Sequence, residues 1–208
     1  MDALPLILPT AALKQATHEL HRKLDRASGM TRLMARDLKR AEYVNVLQTL
    51  QGIYAGIEPK MQAAERLVGK IATWDCKADW LACDLRHLQH EQGAVAASSV
   101  PQSIQERGSL PSIDTLAKLA GCLYVLEGST LGGRVISARL RSNASLQADG
   151  ALRFFSAYGD QTPLRWSACC AAIDACLPQE ELCHEACTAA RAVFELFIAR
   201  FETKESVL

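Results

Sequence analysis

Three residues of one short segment, Lys14, Thr17 and His21, have the spacing of a single helix face. At 100° per residue they fall within about 60° of one another, beside the apolar positions Leu13, Leu20 and Leu24. An imidazole at such a boundary can reach into a pocket and ligate a metal while its helix packs on the core. Lys14 lies about 10 Å from His21 along the axis, where an ammonium can meet an anionic group. A satisfied boundary histidine and a solvated lysine produce the same spacing, so the segment needs a partner before it means chemistry.

The partner runs from Gly121 to Arg134. Four of the chain's 12 glycines, Gly121, Gly128, Gly132 and Gly133, fall in this stretch, whose flanks have helical periodicity. Each interior glycine costs a helix about 1 kcal/mol against alanine. A helix tolerates that where it kinks or where something approaches its backbone closely. Gly128 and Gly132 are one turn apart on one face, with Ser129 and Gly133 on the adjoining stripe, which makes a flat surface without side chains. A tight crossing with another helix is the competing reading. No strand precedes the glycines, so a phosphate-binding loop is excluded.

The elements that must hold these segments are helical, because apolar residues recur almost everywhere at spacings of three and four. A first helix is expected to begin after Pro9 with Thr10 as its cap and to end at Gly29. A second runs from about Ala41 toward Gly69, bent or broken at Pro59, and a third from about Ala78 to His90. A long surface connection covers 91–111. Helical spacing resumes at Ser112 and passes Arg139. Two further helices follow, about Pro163–Cys176 and Gln179–Glu202, the last carrying Phe194. Strand-like alternation is nowhere sustained and no repeat is evident. The expected architecture is all-α, with residues 1–208 forming one compact multi-helix domain.

Composition narrows the function classes. The chain has 208 residues, 49% of them hydrophobic, and its 23 Lys+Arg balance its 23 Asp+Glu. That neutrality argues against nucleic acid as a partner. No run of about 18 apolar residues is present, so no membrane anchor is expected. The first residues lack the basic and apolar regions of a signal peptide. The eight cysteines include no C-x-x-C pair and read as core packing in a reducing, cytoplasmic compartment. Cys183, His184 and Cys187 offer at most three metal ligands, and His87 and His90 lack further ligands at suitable spacing. A di-iron site needs two Glu-x-x-His pairs, and only Glu181–His184 has that form.

Taken together, the segments resemble the heme oxygenases, whose members carry a proximal helix of the form L-K-x-A-T-x-x-x-H and a glycine-rich distal helix. Leu13-Lys-Gln-Ala-Thr-His-Glu-Leu-His21 matches the first, and Tyr124-Val-Leu-Glu-Gly-Ser-Thr-Leu-Gly-Gly133 is similar to the bacterial form of the second. That form is the one that supplies biliverdin to bacteriophytochromes. Ala78-Asp-Trp-Leu-Ala-Cys-Asp-Leu85, Phe154-Phe-Ser-Ala-Tyr-Gly159 and Trp166 extend the resemblance over nearly the whole chain. It implies heme as both substrate and cofactor, sandwiched between the proximal helix and a kinked distal helix. It implies cleavage of heme by O2 and reductant to biliverdin, CO and ferrous iron.

Carried over residue by residue, the resemblance makes His21 the iron ligand. Gly128 and Gly132 become the distal backbone that steers the reaction, and Lys14 becomes a propionate partner. Thr17, Ser129, Gly133 and Phe194 would line the pocket. Electrons would come from a ferredoxin or flavodoxin with its reductase, or from ascorbate in vitro, since no nicotinamide or flavin motif is visible. A bacteriophytochrome would receive the product. The chain departs from the wider family at three places: Ser129 stands where many members have an aspartate, Leu123 where a tyrosine is expected, and Ser167 and Ala171 where mammalian-type members hold propionates. Arg165 lies nearby, and Gln51 is a candidate to complete the distal water network. The missing acid supports an alternative, a heme carrier or sensor that uses the pocket without opening the ring.

Overall fold

A proline at the first position and threonine-free capping start the first helix earlier than the spacing suggests. The structure, a computed structural model, describes residues 7–90, 108–143, 146 and 150–202. Helix α1 spans Pro9–Asp25 with Leu8 as its N-cap, because proline at N1 is pre-set to the helical φ and has no N–H to satisfy. Thr10, the expected cap, instead donates its backbone N–H and its hydroxyl to Asp174, at 2.8 and 3.0 Å. Gly29 does not end α1. It lies inside a separate short helix, α2 (Ser28–Leu33), where a Cβ would come within 2.5 Å of the Phe201 ring. Its glycine serves close packing rather than termination.

Helix α3 (Arg40–Val68) runs unbroken through Pro59. Pro59 and Ala55, the residue whose carbonyl loses its donor, are both exposed, so solvent can take the orphaned acceptor and the break expected at Pro59 does not occur. Helix α4 spans Lys77–His90. Of the expected connection over 91–111, residues 91–107 lie outside the described residues. Helix α5 (Leu116–Arg141) is capped by the Thr115 hydroxyl, which accepts from the Lys118 N–H at 3.2 Å. Helix α6 (Arg153–Ser156) and a 3-10 turn (Gly159–Gln161) lead into α7 (Thr162–Cys176) and α8 (Glu180–Phe201). No strand occurs among the described residues.

Helix α8 is the centre of the packing. It buries Ala186, Ala190, Val193, Phe194, Leu196 and Phe197, and both α1 and α5 pack along it. Small residues allow the approach: Gly121 of α5 lies over the Ala186 backbone carbonyl, where any side chain would collide. Two buried carboxylates bind the remaining elements. Glu58 of α3 accepts from the backbone N–H groups of Lys77 and Ala78, at 2.7 and 3.0 Å, and so caps α4. Asp84 of α4 accepts from those of Arg153 and Phe154, at 2.8 and 2.9 Å, and caps α6. A carboxylate is the natural partner for the unpaired N–H groups at a helix start.

All eight cysteines are free. Burial pushes the thiols of Cys122 and Cys169 up to about 12, which keeps them protonated and unreactive. No group of three or more metal-ligating side chains occurs among the described residues. No described helix is long and apolar enough to cross a membrane.

Candidate functional site

Helices α1 and α5 both lie on α8 yet touch each other at few points, which leaves a cleft between them. Two contacts close its ends. At one end Thr17 of α1 lies against the Tyr124 phenol of α5, which burial pushes up to about 12. Thr17 is itself buried, and its hydroxyl donates to the Leu13 carbonyl at 2.7 Å. At the other end Arg139 of α5 donates through Nε to the Met34 carbonyl beyond α2, at 3.1 Å.

Between these ends α5 presents Tyr124, Gly128, Leu131, Gly132, Val135 and Arg139 on one side, since positions i, i+4, i+7, i+8, i+11 and i+15 share a helix face. This side is uncovered. Leu131 is 38% and Val135 61% exposed, and a Cβ built on Gly132 meets nothing within 4 Å. Apolar side chains left open beside bare backbone, on a helix whose opposite face is core, mark a binding surface rather than a crossing. Gly128 is partly covered by the Trp166 ring, 3.2 Å from where its Cβ would be.

His21 lies on α1 beside Phe194 of α8. It is four residues, about 6 Å along the helix, beyond Thr17, as Gly128 is beyond Tyr124 on α5. The imidazole is 63% exposed, and its Nδ1 is 3.0 Å from Asp25 Oδ2. An ionised carboxylate can only accept, so Nδ1 carries the proton and Nε2 keeps its lone pair for a ligand. The Phe194 ring, from α8, lies 5.7 Å from the imidazole and floors the cleft. Lys14 is exposed at the Tyr124 end and forms no ion pair with another described residue. Arg191 reaches the same stretch of α1, donating to the Ala16 carbonyl at 2.9 Å.

Ser129 is exposed on the edge of the cleft, and its hydroxyl donates to the Leu126 carbonyl at 2.8 Å. Its second partner is Tyr54 of α3, with 2.9 Å between the oxygens. With the serine proton committed to its own helix, Tyr54 must be the donor. Tyr54 is fully buried, and burial pushes its phenol well above the usual range, so the proton stays on it. The α3 side chain beside Ser129 is therefore Tyr54 and not Gln51, which makes no hydrogen bond among the described residues. Tyr54 was hidden from sequence reasoning because it fits the apolar face of α3. A tyrosine amid aliphatic residues at helical spacing is the one signal that a buried hydroxyl needs a partner.

One residue expected at the site, Gly133, faces elsewhere, and so does the nearby Arg165. Gly133 is buried against α6, where a Cβ would lie 2.8 Å from the Phe155 carbonyl oxygen. Its glycine is the helix-crossing kind, and Gly133→Ala is expected to destabilise the fold by about 1–3 kcal/mol through overpacking, measured as a drop in Tm of the ligand-free chain. Arg165 stacks on the Tyr158 ring, 4.4 Å from its centroid, and its Nη1 lies 3.8 Å from Asp75. Ser167 and Ala171 are exposed on α7.

The arrangement fits a flat apolar ring that carries a metal at its centre and anionic groups at its edge. One face would meet an imidazole with a free lone pair, and the other would meet bare helix backbone.

A family model described as heme oxygenase matches residues 9–203. Among solved structures, the chain is similar to the heme oxygenase of Leptospira interrogans, with a TM-score of 0.72 and 17% identity over 94% of this chain and 98% of that one. It is also similar to heme oxygenase-1 of the cyanobacterium Synechocystis, determined in complex with heme, with a TM-score of 0.70 and 14% identity over 94% of this chain and 91% of that one. No match was found among curated proteins.

Proposed function

This chain belongs to the heme oxygenase family, and we propose that it opens the heme ring in the cleft between α1 and α5, with His21 as the iron ligand. It is a heme-degrading oxygenase. When bound, heme supplies the iron at which O2 and electrons meet. The polypeptide supplies everything that decides where and how. Asp25 holds the His21 tautomer, so Nε2 is aimed outward as a neutral donor. Gly132, and Gly128 where Trp166 leaves it open, would let the ring approach the backbone, and Leu131 and Val135 would exclude water from its face. Tyr54 and Ser129 place a hydroxyl pair beside that face. Because Tyr54 is locked as a donor, Ser129 keeps acceptor capacity toward the cleft and can orient a water or pass a proton if its own hydrogen bond to Leu126 turns.

Lys14 and Arg191 at the Tyr124 end are cations that would meet the two propionates if they point that way, and Arg139 would meet them in the opposite seating of the ring. Exposed ion pairs of this kind set orientation more than affinity. We further propose an external electron donor, a ferredoxin or flavodoxin with its reductase, replaceable by ascorbate in vitro, and a bacteriophytochrome as recipient of the biliverdin. A cytoplasmic setting is supported by eight free thiols.

The observation that carries this reading is the uncovered stripe of α5 at Leu131, Gly132 and Val135. A carrier that holds iron from both sides would need a second ligand there; Tyr124, Gly128, Ser129, Leu131, Gly132 and Val135 include no histidine, cysteine or methionine, and burial pushes the Tyr124 phenol up to about 12, which keeps it protonated. The test is to add one equivalent of heme to the purified chain, then reductant in air. The Soret band is expected to give way to biliverdin absorption. Intact heme after several turnovers' worth of reductant would overturn it.

A further inference from the structure

The face of α5 turned away from the cleft carries a buried ion pair that the reaction does not use. Glu127 directly precedes Gly128 and leaves the helix about 200° around from Ser129. It is 3% exposed and pairs with Lys77 of α4, which is 1% exposed. The second oxygen of Glu127 accepts from the Tyr158 hydroxyl at 3.1 Å, and that hydroxyl accepts from the Asp75 backbone N–H at 3.2 Å. The Lys77 ammonium sits 5.6 Å from the ring centroids of both Trp80 and Tyr158. Every charged atom of the pair thus has a directional partner.

Stability does not account for this arrangement. Taking two charges out of water costs much of what their attraction returns, and apolar side chains of similar volume are often as stable or more so. What an ion pair with fixed partners adds is geometry, since apolar contacts resist sliding and rotation far less. The turn beside it has unusual need of that. Gly128 and Gly132 weaken the helix, and two successive hydroxyls, Ser129 and Thr130, bond back to the carbonyls of Leu126 and Glu127 at 2.8 and 2.6 Å. Back-bonding of this kind bends helices. The softened turn is the one that the cleft assignment above puts over the heme face.

We propose that Lys77 and Glu127, steadied by Tyr158, are positioning residues that fix the height and rotation of the Gly128–Ser129 turn over the heme face. They touch no heme, and the inference rests on the cleft assignment above. It predicts that loss of the pair changes the environment of the bound ring and the accuracy of cleavage, not the fold or the His21 ligand.

The experiment is the double variant K77M/E127L, which removes both charges at similar volume, with Tyr158→Phe as a second variant that deletes a single hydrogen bond. Each is loaded with ferric heme and titrated with alkali, then given reductant in air. Thermal unfolding of K77M/E127L is expected at or above the wild-type Tm. The pH midpoint of its ferric heme spectrum is expected to move by about half a unit. Biliverdin is expected to form about tenfold more slowly, as a mixture of meso isomers where the wild-type chain gives one distribution. Tyr158→Phe should shift the midpoint and the isomer ratio in the same direction by less. If both variants keep the wild-type midpoint and isomer ratio, the pair is structural only and the proposal fails. Should the double variant not fold, Tyr158→Phe decides alone. The alkaline titration needs no turnover, so it judges positioning separately from the ring-opening activity.

Discussion

Replacing His21 by alanine is expected to leave the ligand-free chain as stable as before, while biliverdin formation falls by about a hundredfold or more. The two halves of that expectation have separate causes. The side chain is largely solvent-exposed, and its one polar contact is the i,i+4 pair with Asp25, worth a few tenths of a kcal/mol on a helix surface. Nothing in the core depends on it. The cleft itself remains, because its walls are Phe194, Leu131, Val135 and the α5 backbone, so heme should still enter from solution. What disappears is the imidazole nitrogen proposed as the iron ligand. The Soret band of the His21→Ala complex should therefore move away from that of an imidazole-ligated iron, and imidazole added at millimolar concentration should restore part of the lost rate through the gap. Asp25→Ala should act in the same direction more weakly, about tenfold, since it frees the tautomer without removing the nitrogen. Wild-type turnover in His21→Ala would place the iron ligand elsewhere on the chain.

The lettering of the chain showed the helices and the chemistry of the two facing segments but not how they were registered against each other. Periodicity places His21, Lys14 and Thr17 on one face, and this is a local property of 3.6 residues per turn. It cannot say that Thr17 is buried against Tyr124, because that depends on the distance between two helices set by α8. The same gap explains the glycines. Gly128, Gly132 and Gly133 are chemically alike in sequence, yet only packing shows that Gly133 meets the Phe155 carbonyl while Gly132 meets open space. Helix α2 was invisible for a different reason: six residues are fewer than two turns, and Gly29 within it carries the signal of a terminator. Pro59 misled because the cost of an interior proline depends on whether the orphaned carbonyl faces water. Lys77 and Glu127 are 50 positions apart and each looks like an ordinary surface charge until the first residue of α4 is brought against α5. Long-range polar pairs are the part of a fold that composition and spacing carry least.

That contrast among the glycines yields the sharpest result to look for, because a single methyl group should push stability and activity in opposite directions. Gly132 sits inside α5 with helical flanks on both sides and no atom within 4 Å of where a Cβ would stand. In the ligand-free chain Gly132→Ala costs no packing and removes the excess backbone freedom of glycine, a gain of about 1 kcal/mol, which for a domain of this size raises Tm by about 2–4 °C. With heme, the same methyl projects from the bare stretch of α5 into the space between that helix and His21. The ring must then tilt or slide, and near-attack geometry is lost, so turnover should fall about tenfold or more with a change in the isomer ratio. Gly133→Ala supplies the reverse pattern, a lowered Tm from its collision with Phe155 while the heme-facing surface stays intact. A cleft lying anywhere other than over Gly132 would leave turnover in Gly132→Ala at the wild-type level, and the gain in Tm would then stand as a plain helix-propensity effect. Opposed signs at position 132, with the reverse at its immediate neighbour, arise only if a ligand occupies the side of α5 that the protein itself leaves bare.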